Sequence, residues 1–267
     1  MNVAQRLEYV SLRLVRRFLF TEGFANRVAR WLPYYATNAN ERHPMQVVEQ
    51  YARNLAKENL SISDKHVLEA GAGRTNTVGY GLLHAGASEV TLLEPFVAFD
   101  MQRDRALRDS NPDIAGTVDG RLTRVASFDQ IPTGSVDLLL STSVLEHVRD
   151  LPAFFAGCLR VLKPDGVMLH RVDYRDHFFK YPYAFLTFSD ATWSRWLDPG
   201  DLPRWRLDDH VCAMSACGFH VEILDSSSQT AAFEQIKSQV IPRFRTGRVD
   251  VTFAALLARQ SPVRLNL

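Results

Sequence analysis

The chain of 267 residues is long enough to bury a full core and has the length of one α/β domain with additions. Its 31 basic and 30 acidic residues give a net charge of +1, which excludes a global field for attracting nucleic acid. Its three cysteines have no CxxC spacing, which argues against a disulfide framework and favours a reducing, cytoplasmic location. Arginines interrupt the apolar run between Leu12 and Phe20, so we expect neither a signal peptide nor a membrane span.

Residues 1–60 predict a helical extension. Apolar positions such as Leu7, Val10 and Leu14 recur at three- to four-residue spacing. Arginines outnumber acidic residues up to residue 35, which has two interpretations. We expect a helix packed on the core with a solvated basic side, and the alternative is a helix in contact with an anionic membrane surface.

From His66 onward the sequence alternates between short apolar runs and helical stretches, a pattern that predicts parallel strands joined by crossover helices. Two further runs flank a helical stretch near 231–240. The pattern therefore predicts a doubly wound α/β sheet of about seven strands with helices on both faces. The predicted strands are 66–70, 89–93, 121–125, 136–140, 167–172, 219–224 and 249–257.

A glycine turn follows the first predicted strand. Gly71 and Gly73 stand where the chain must turn sharply and let a ligand approach its backbone. A dinucleotide fingerprint would need a third glycine at Asn76, and the carboxylate of Glu69 would repel a pyrophosphate. The same carboxylate is favourable beside S-adenosylmethionine, which carries a sulfonium and an ammonium group. Glu94 ends the next strand, where a carboxylate can accept hydrogen bonds from ribose hydroxyls.

Four motifs in chain order resemble those of class I S-adenosylmethionine-dependent methyltransferases: VLEAGAG at 67–73, VTLLEP at 90–95, VDLLLSTSVLEHV at 136–148 and LKPDGVML at 162–169. The resemblance covers roughly residues 60–173 and implies a mostly parallel seven-stranded sheet whose last strand is antiparallel. It divides the chain into the extension at 1–60 and a domain at 61–267. Within the last motif, Lys163-Pro164-Asp165-Gly166 predicts a turn between a helix and a strand.

The resemblance also implies which residues surround the cofactor. The methionine part would lie against the glycine turn, the ribose at the second strand, the adenine at the third and the sulfonium at the fourth. Arg74 and Thr75 depart from the small residues usual after the second glycine, and Ser127 stands where many relatives have an aspartate. The implied cofactor residues are Glu69, Gly71, Ala72, Gly73, Glu94, Pro95, Ser127, Phe128, Ser141 and Thr142.

Methyl transfer is an in-line displacement that needs a base only when the acceptor must lose a proton. His170 and His147 are the candidate bases, with Asp173 beside them, because imidazole can titrate near neutral pH. A structural alternative for Glu146 and His147 is that they cap the helix that follows.

A divalent metal is a further alternative at this position. Some methyltransferases carry Glu-x-x-Glu-His after strand four, and here Ser143 replaces the first acid of that pattern. The set is incomplete, so we predict no metal, and the candidate ligands would be Glu146, His147 and His170.

An aromatic stretch at 174–210 predicts a cap inserted after strand five. Its rings could cover the sheet by packing alone, or they could line a cleft for a hydroxylated acceptor. The string HRVDYRDHF with YPYAFLTFS resembles a methyltransferase subgroup associated with glycan assembly. The candidate acceptor residues are Asp176, His177, Tyr181 and Trp193.

Together these features predict an O-methyltransferase that acts on a glycan or glycosylated small molecule. A lipid or natural product at a membrane surface is the alternative acceptor, and a non-catalytic cofactor-binding protein is the alternative class. Nucleic acid is not expected as the acceptor, because Ser141-Thr142-Ser143-Val144 replaces an Asn-Pro-Pro-aromatic motif.

Overall fold

The structure, a computed structural model, describes residues 1–19, 41, 43–116, 120–176, 180–198, 200 and 202–261. Seven strands form one sheet: β1 His66–Ala70, β2 Glu89–Leu93, β3 Leu122–Val125, β4 Val136–Thr142, β5 Leu162–Asp173, β6 Phe219–Ser228 and β7 Val251–Gln260. Their order across the sheet is β3-β2-β1-β4-β5-β7-β6. The first five strands are parallel, and β7 runs antiparallel to both β5 and β6, as predicted.

The helices begin where the sequence supplies caps or a proline. Asp100 and Asp150 each accept a hydrogen bond from the backbone amide three residues ahead, and Pro44 opens its helix in the first turn. The helices are α1 Val3–Leu19, α2 Pro44–Ala56, α3 Thr77–His84, α4 Met101–Asp109, α5 Leu151–Val161, α6 Asp190–Thr192, α7 Leu207–Ala216 and α8 Thr230–Glu234. Shorter 3-10 or π turns occupy Phe128–Gln130, Leu145–His147, Ala184–Thr187, Trp193–Leu197, Lys237–Gln239 and Pro242–Phe244.

Both faces of the sheet are buried, which confirms the predicted doubly wound architecture. On one face Leu68 packs with Phe155 of α5 and Met214 of α7. On the other face Val67 packs with residues of α2 and α3, such as Leu82. Alternate residues of each central strand therefore enter different cores, and this alternation decides which site residues can meet.

The junction between α5 and β5 differs from the prediction. The sequence predicts a turn at Lys163–Gly166, but the strand begins at Leu162, directly after the helix. Leu162 pairs with Val136 and Val167 pairs with Leu138, so the extra residues form a bulge within the strand. The turn-forming residues shift the register locally and leave the pairing intact.

The α1 helix packs on the segment after β5 and builds a third buried cluster with it. The ring of Tyr9 stacks on Phe188 with centroids 5.7 Å apart, and Trp193 belongs to the same cluster. Arg13 and Asp176 form an ion pair whose two side chains are fully buried. Much of the aromatic stretch therefore serves packing. None of the helices in the described ranges is long and apolar enough to cross a bilayer.

Candidate active site

The glycine turn lies between the carboxyl ends of β1 and β4. Gly71 has φ +80° and Gly73 has φ +68°, a region that side chains disfavour. A Cβ atom on Gly71 would lie 2.3 Å from Cγ2 of Val144, which follows β4. Gly71 is therefore required both by its backbone conformation and by the close approach of the next loop.

The carboxylate of Glu94 joins the end of β2 to this turn. One oxygen accepts the Gly73 amide at 2.9 Å. The other accepts the amides of Phe96 at 3.0 Å and Val97 at 3.1 Å. Neighbouring Pro95 is exposed. These bonds hold the carboxylate at the mouth of the glycine turn, where the sequence predicts ribose binding.

Arg124 of β3 also holds the glycine turn in place, and the sequence analysis missed it. Its guanidinium donates to the Gly73 carbonyl and, at 3.1 Å, to the side chain of Asn76. It also lies over the ring of Phe99, 5.4 Å from the centroid. Burial lowers the pKa of this arginine, and nearby carboxylates led by Glu94 oppose the shift. The signal available in the sequence was an arginine within the third predicted strand.

The N-terminal segment also contributes to this region. The carboxylate of Glu41 is buried, and one of its oxygens accepts the Arg74 amide at 3.1 Å. The other oxygen accepts Nε of Arg103 at 2.9 Å. Asp104 accepts the Asn76 amide at 2.6 Å. The turn that departs from the family pattern at Arg74 is thus held by a carboxylate from outside the matched motifs.

Glu69 is almost fully buried at the end of β1, with 5% of its surface exposed. One of its carboxylate oxygens has no hydrogen-bond partner. Burial raises the pKa of Glu69 to about 8, and the charge of Arg124 opposes the rise. A cationic ligand beside this carboxylate would restore its charged form.

The residues predicted for the adenine and the sulfonium lie along the same edge of the sheet. Ser127 is exposed at the end of β3, and the Phe128 ring packs on Phe154 with centroids 5.6 Å apart. Ser141 is buried and Thr142 is half-buried, and the two side chains point to opposite faces of β4. Ala72 is half-buried between the two glycines.

His170 lies in the interior, with 0% of its surface exposed. Its Nδ1 is 2.7 Å from the Ser141 hydroxyl, and the rings of Phe154 and Phe155 lie 6.1 Å away on the α5 face. Burial, with the nearby His210, lowers the pKa of His170 to about 3. An imidazole with this pKa stays neutral at physiological pH, and the role of base for His170 stays a prediction.

Glu146 is buried in the turn after β4, and neither carboxylate oxygen makes a hydrogen bond of normal geometry. Burial raises its pKa to about 8, and the negative charge of Asp173 adds to the rise. His147 is half-buried next to it. Asp173 binds Arg175 through Nε at 2.9 Å. Burial thus moves the pKa of the Glu146 carboxyl toward neutrality.

Across the described part of the chain, no group of three or more His, Cys, Asp or Glu side chains could hold a metal ion. Glu146, His147 and His170 accordingly do not form such a group in the structure.

The predicted acceptor residues make contacts between the cap and α1. Asp176 pairs with Arg13, and the Tyr181 hydroxyl donates to Glu8 at 2.6 Å. Trp193 is buried, and its indole N–H donates to the Leu202 carbonyl at 3.0 Å. His177 lies outside the described residues. Acceptor binding by these residues stays a prediction.

Comparison with known families matches residues 68–170 to the family described as "Methyltransferase domain". A ubiquinone biosynthesis O-methyltransferase of Bradyrhizobium sp. (strain ORS 278) is 28% identical over 110 residues, which is 38% of this chain and 43% of the relative. The enzyme of the same name from Rhodopseudomonas palustris (strain BisB5) is 32% identical over 101 residues, covering 34% and 39%. The chain thus spans less than half the length of these relatives.

Among solved structures, phosphoethanolamine N-methyltransferase 2 of Haemonchus contortus, in complex with phosphomonomethylethanolamine and S-adenosylhomocysteine, has a TM-score of 0.55 at 14% identity. The alignment covers 93% of this chain and 60% of that one. A putative sarcosine dimethylglycine methyltransferase from Galdieria sulphuraria has a TM-score of 0.51 at 19% identity, covering 86% and 90%. These likenesses show the fold.

Proposed function

We propose that the protein transfers a methyl group from S-adenosylmethionine to a hydroxyl oxygen, because residues 68–170 match the family described as "Methyltransferase domain". The observation that carries the proposal is the pair of carboxylates at the glycine turn. Glu94 accepts the Gly73 amide, and Glu69 is buried with an unpartnered oxygen. Two carboxylates at one turn suit a ligand with cationic groups and a ribose, and they disfavour a pyrophosphate.

When bound, the cofactor supplies an activated methyl group on a sulfonium. In the proposed site Glu69 faces the cationic amino-acid end and Glu94 takes the ribose hydroxyls. As the acceptor oxygen takes the methyl group, its hydroxyl proton would pass to a base supplied by the protein. We assign the base to Glu146, because its pKa of about 8 lies nearer to neutrality than the pKa of about 3 of His170. Transfer to oxygen agrees with the names of the curated relatives.

A glycan or glycosylated small molecule is one proposed acceptor. Its support is the sequence of the aromatic cap. Tyr181 is half-buried and Trp196 is exposed, so both could contact a sugar, whereas Tyr183, Phe185 and Trp193 are buried in the packing of the cap.

A lipid-like acceptor delivered at a membrane surface is the second proposal, and a separate observation favours it. Along α1 the side chains of Val3, Leu7 and Phe18 are 78%, 64% and 58% exposed. Phe18 lies beside exposed Trp196 of the cap, with ring centroids 6.4 Å apart. Arg17, next to Phe18, adds positive charge. Exposed apolar residues with flanking arginines suit an anionic membrane surface, and the curated relatives are named for ubiquinone biosynthesis.

The test is incubation with methyl-labelled S-adenosylmethionine and a source-cell extract, followed by counting label in polysaccharide, lipid, small-molecule, protein and nucleic-acid fractions. Label in the polysaccharide fraction would support the glycan, and label in the lipid fraction with sedimentation on anionic liposomes would support the second acceptor. Glu146→Gln should lose most transfer while still binding S-adenosylhomocysteine, and His170→Gln serves as the matched buried control. Cofactor binding with no label in any fraction would overturn the enzymatic proposal in favour of a non-catalytic binder.

A further inference from the structure

Three polar side chains share one face of the sheet at its carboxyl edge. They are Glu69 of β1, Thr142 of β4 and Arg171 of β5. Thr142 and Arg171 are register partners, and Glu69 pairs with the residue two positions before Thr142. Alternation points all three toward the face that α2 covers, opposite to His170. They therefore lie side by side under α2.

Tyr51 of α2 reaches down to the same place. Its side chain is 0% exposed, and its hydroxyl has no hydrogen-bond partner of normal geometry. Burial raises the pKa of Tyr51, the charge of Glu69 adds to the rise, and Thr142 and Arg171 oppose it. Burial under α2 and the shared face of the strands thus place the tyrosine hydroxyl near Thr142, Glu69 and Arg171.

Arg171 is held in place by contacts with α2 and β7. Its guanidinium donates to the side chain of Gln50, the residue before Tyr51, and lies over the Phe253 ring at 5.1 Å from the centroid. Its Nε has no hydrogen-bond partner. One oxygen of Glu69 also lacks a partner, and the Tyr51 and Thr142 hydroxyls lie near each other without a hydrogen bond of normal geometry. Buried polar atoms without good partners are rare in folded proteins, so this cluster points to a bound ligand.

We infer that Tyr51 and Arg171 bind the carboxylate of the cofactor's methionine part while Glu69 binds its ammonium group, so that α2 of the N-terminal extension forms one wall of the cofactor site. The inference rests on the proposed function and assigns groups within that site. An amino-acid zwitterion needs an anion at one end and donors at the other. Glu69 supplies the first, and the arginine N–H with the tyrosine O–H supplies the second.

The test is calorimetric binding of two probes, S-adenosylhomocysteine and 5′-methylthioadenosine, the second of which lacks the amino-acid part. Tyr51→Phe should weaken S-adenosylhomocysteine binding about tenfold and leave 5′-methylthioadenosine binding unchanged, because one charge-assisted hydrogen bond is lost. Tyr183→Phe is the matched control, since it removes the hydroxyl of a buried tyrosine that donates to the Asp250 carbonyl, and neither residue belongs to the proposed pocket. It should change neither affinity by more than about twofold.

A second variant keeps the test decisive if Tyr51→Phe does not fold. Arg171→Lys retains the charge and should bind S-adenosylhomocysteine better than Arg171→Gln, with equal binding of 5′-methylthioadenosine. Equal losses of affinity for the two probes, or no loss of affinity in the Tyr51 and Arg171 variants, would overturn this inference and leave the proposed function standing. Failure of the unmodified protein to bind either probe would instead overturn the proposed function.

Discussion

Replacing Gly71 by alanine adds one methyl group at the most crowded point of the glycine turn. The residue has φ +80°, so any side chain there costs about 1–2 kcal/mol of backbone strain. The new Cβ would also lie 2.3 Å from Cγ2 of Val144, well inside the ordinary carbon contact of about 3.5–4.0 Å. Relief of that overlap by local movement costs about 1–3 kcal/mol. The expected total loss of stability is about 2–5 kcal/mol, obtained by adding the two ranges.

Gly218→Ala is the matched control for the backbone term. Gly218 has φ +90°, and a Cβ there would meet no atom within 4 Å. The free energy of unfolding of both variants is measured by urea denaturation, from the midpoints of transitions with equal slopes. It should be about 1–3 kcal/mol lower for Gly71→Ala than for Gly218→Ala. Gly71→Ala should also weaken S-adenosylhomocysteine binding, because Val144 and the turn must separate. Equal stability losses in the two variants would refute the argument that the Val144 contact requires glycine.

Three further predictions concern the pH dependence of stability, a buried ion pair and the need for a metal ion. The ligand-free protein should lose stability as pH rises from about 5 toward 8, since Glu69 and Glu146 have folded-state pKa values of about 8 against 4.5. The folded state then retains protons that the unfolded chain releases, and urea midpoints for Glu146→Gln should fall less steeply with pH. Arg13→Met should cost about 3–5 kcal/mol in the same assay, because it removes the cation that pairs with the buried Asp176, and adding Asp176→Asn should recover part of the loss. Methyl transfer should persist after exhaustive chelation, and its loss, with recovery on adding a divalent ion, would show a metal requirement.

The fold could be predicted from the sequence because its strands are short apolar runs with sharp ends. β1 and β2 were predicted with the bounds that the structure has. The start of β5 was wrong, since Lys163–Gly166 has turn-forming residues but stays in the strand as a bulge. Local propensity cannot show that a neighbouring strand will accept an irregular register.

The site was less predictable because one sequence does not say which side chains are covered. His170 lies at the end of a strand, where catalytic groups are common, but the packing of Phe154 and Phe155 encloses it. Tyr51 and Glu41 lie outside the matched motifs. Glu41 bonds to the turn and Tyr51 lies near Glu69, and both positions depend on how the N-terminal segment packs on the sheet. Those contacts come from tertiary packing, and no local pattern records them.

The position of β7 affects how the protein can form during translation. β7 pairs with β5 on one side and β6 on the other, yet it is synthesised after both. A nascent chain that has just released residue 250 therefore carries β5 with one open edge and β6 with none of its sheet pairing. Open edges invite pairing with other chains. The sheet can close only once Val251–Gln260 has left the ribosome, so a pause in synthesis between β6 and β7 should promote aggregation more than a pause before β6.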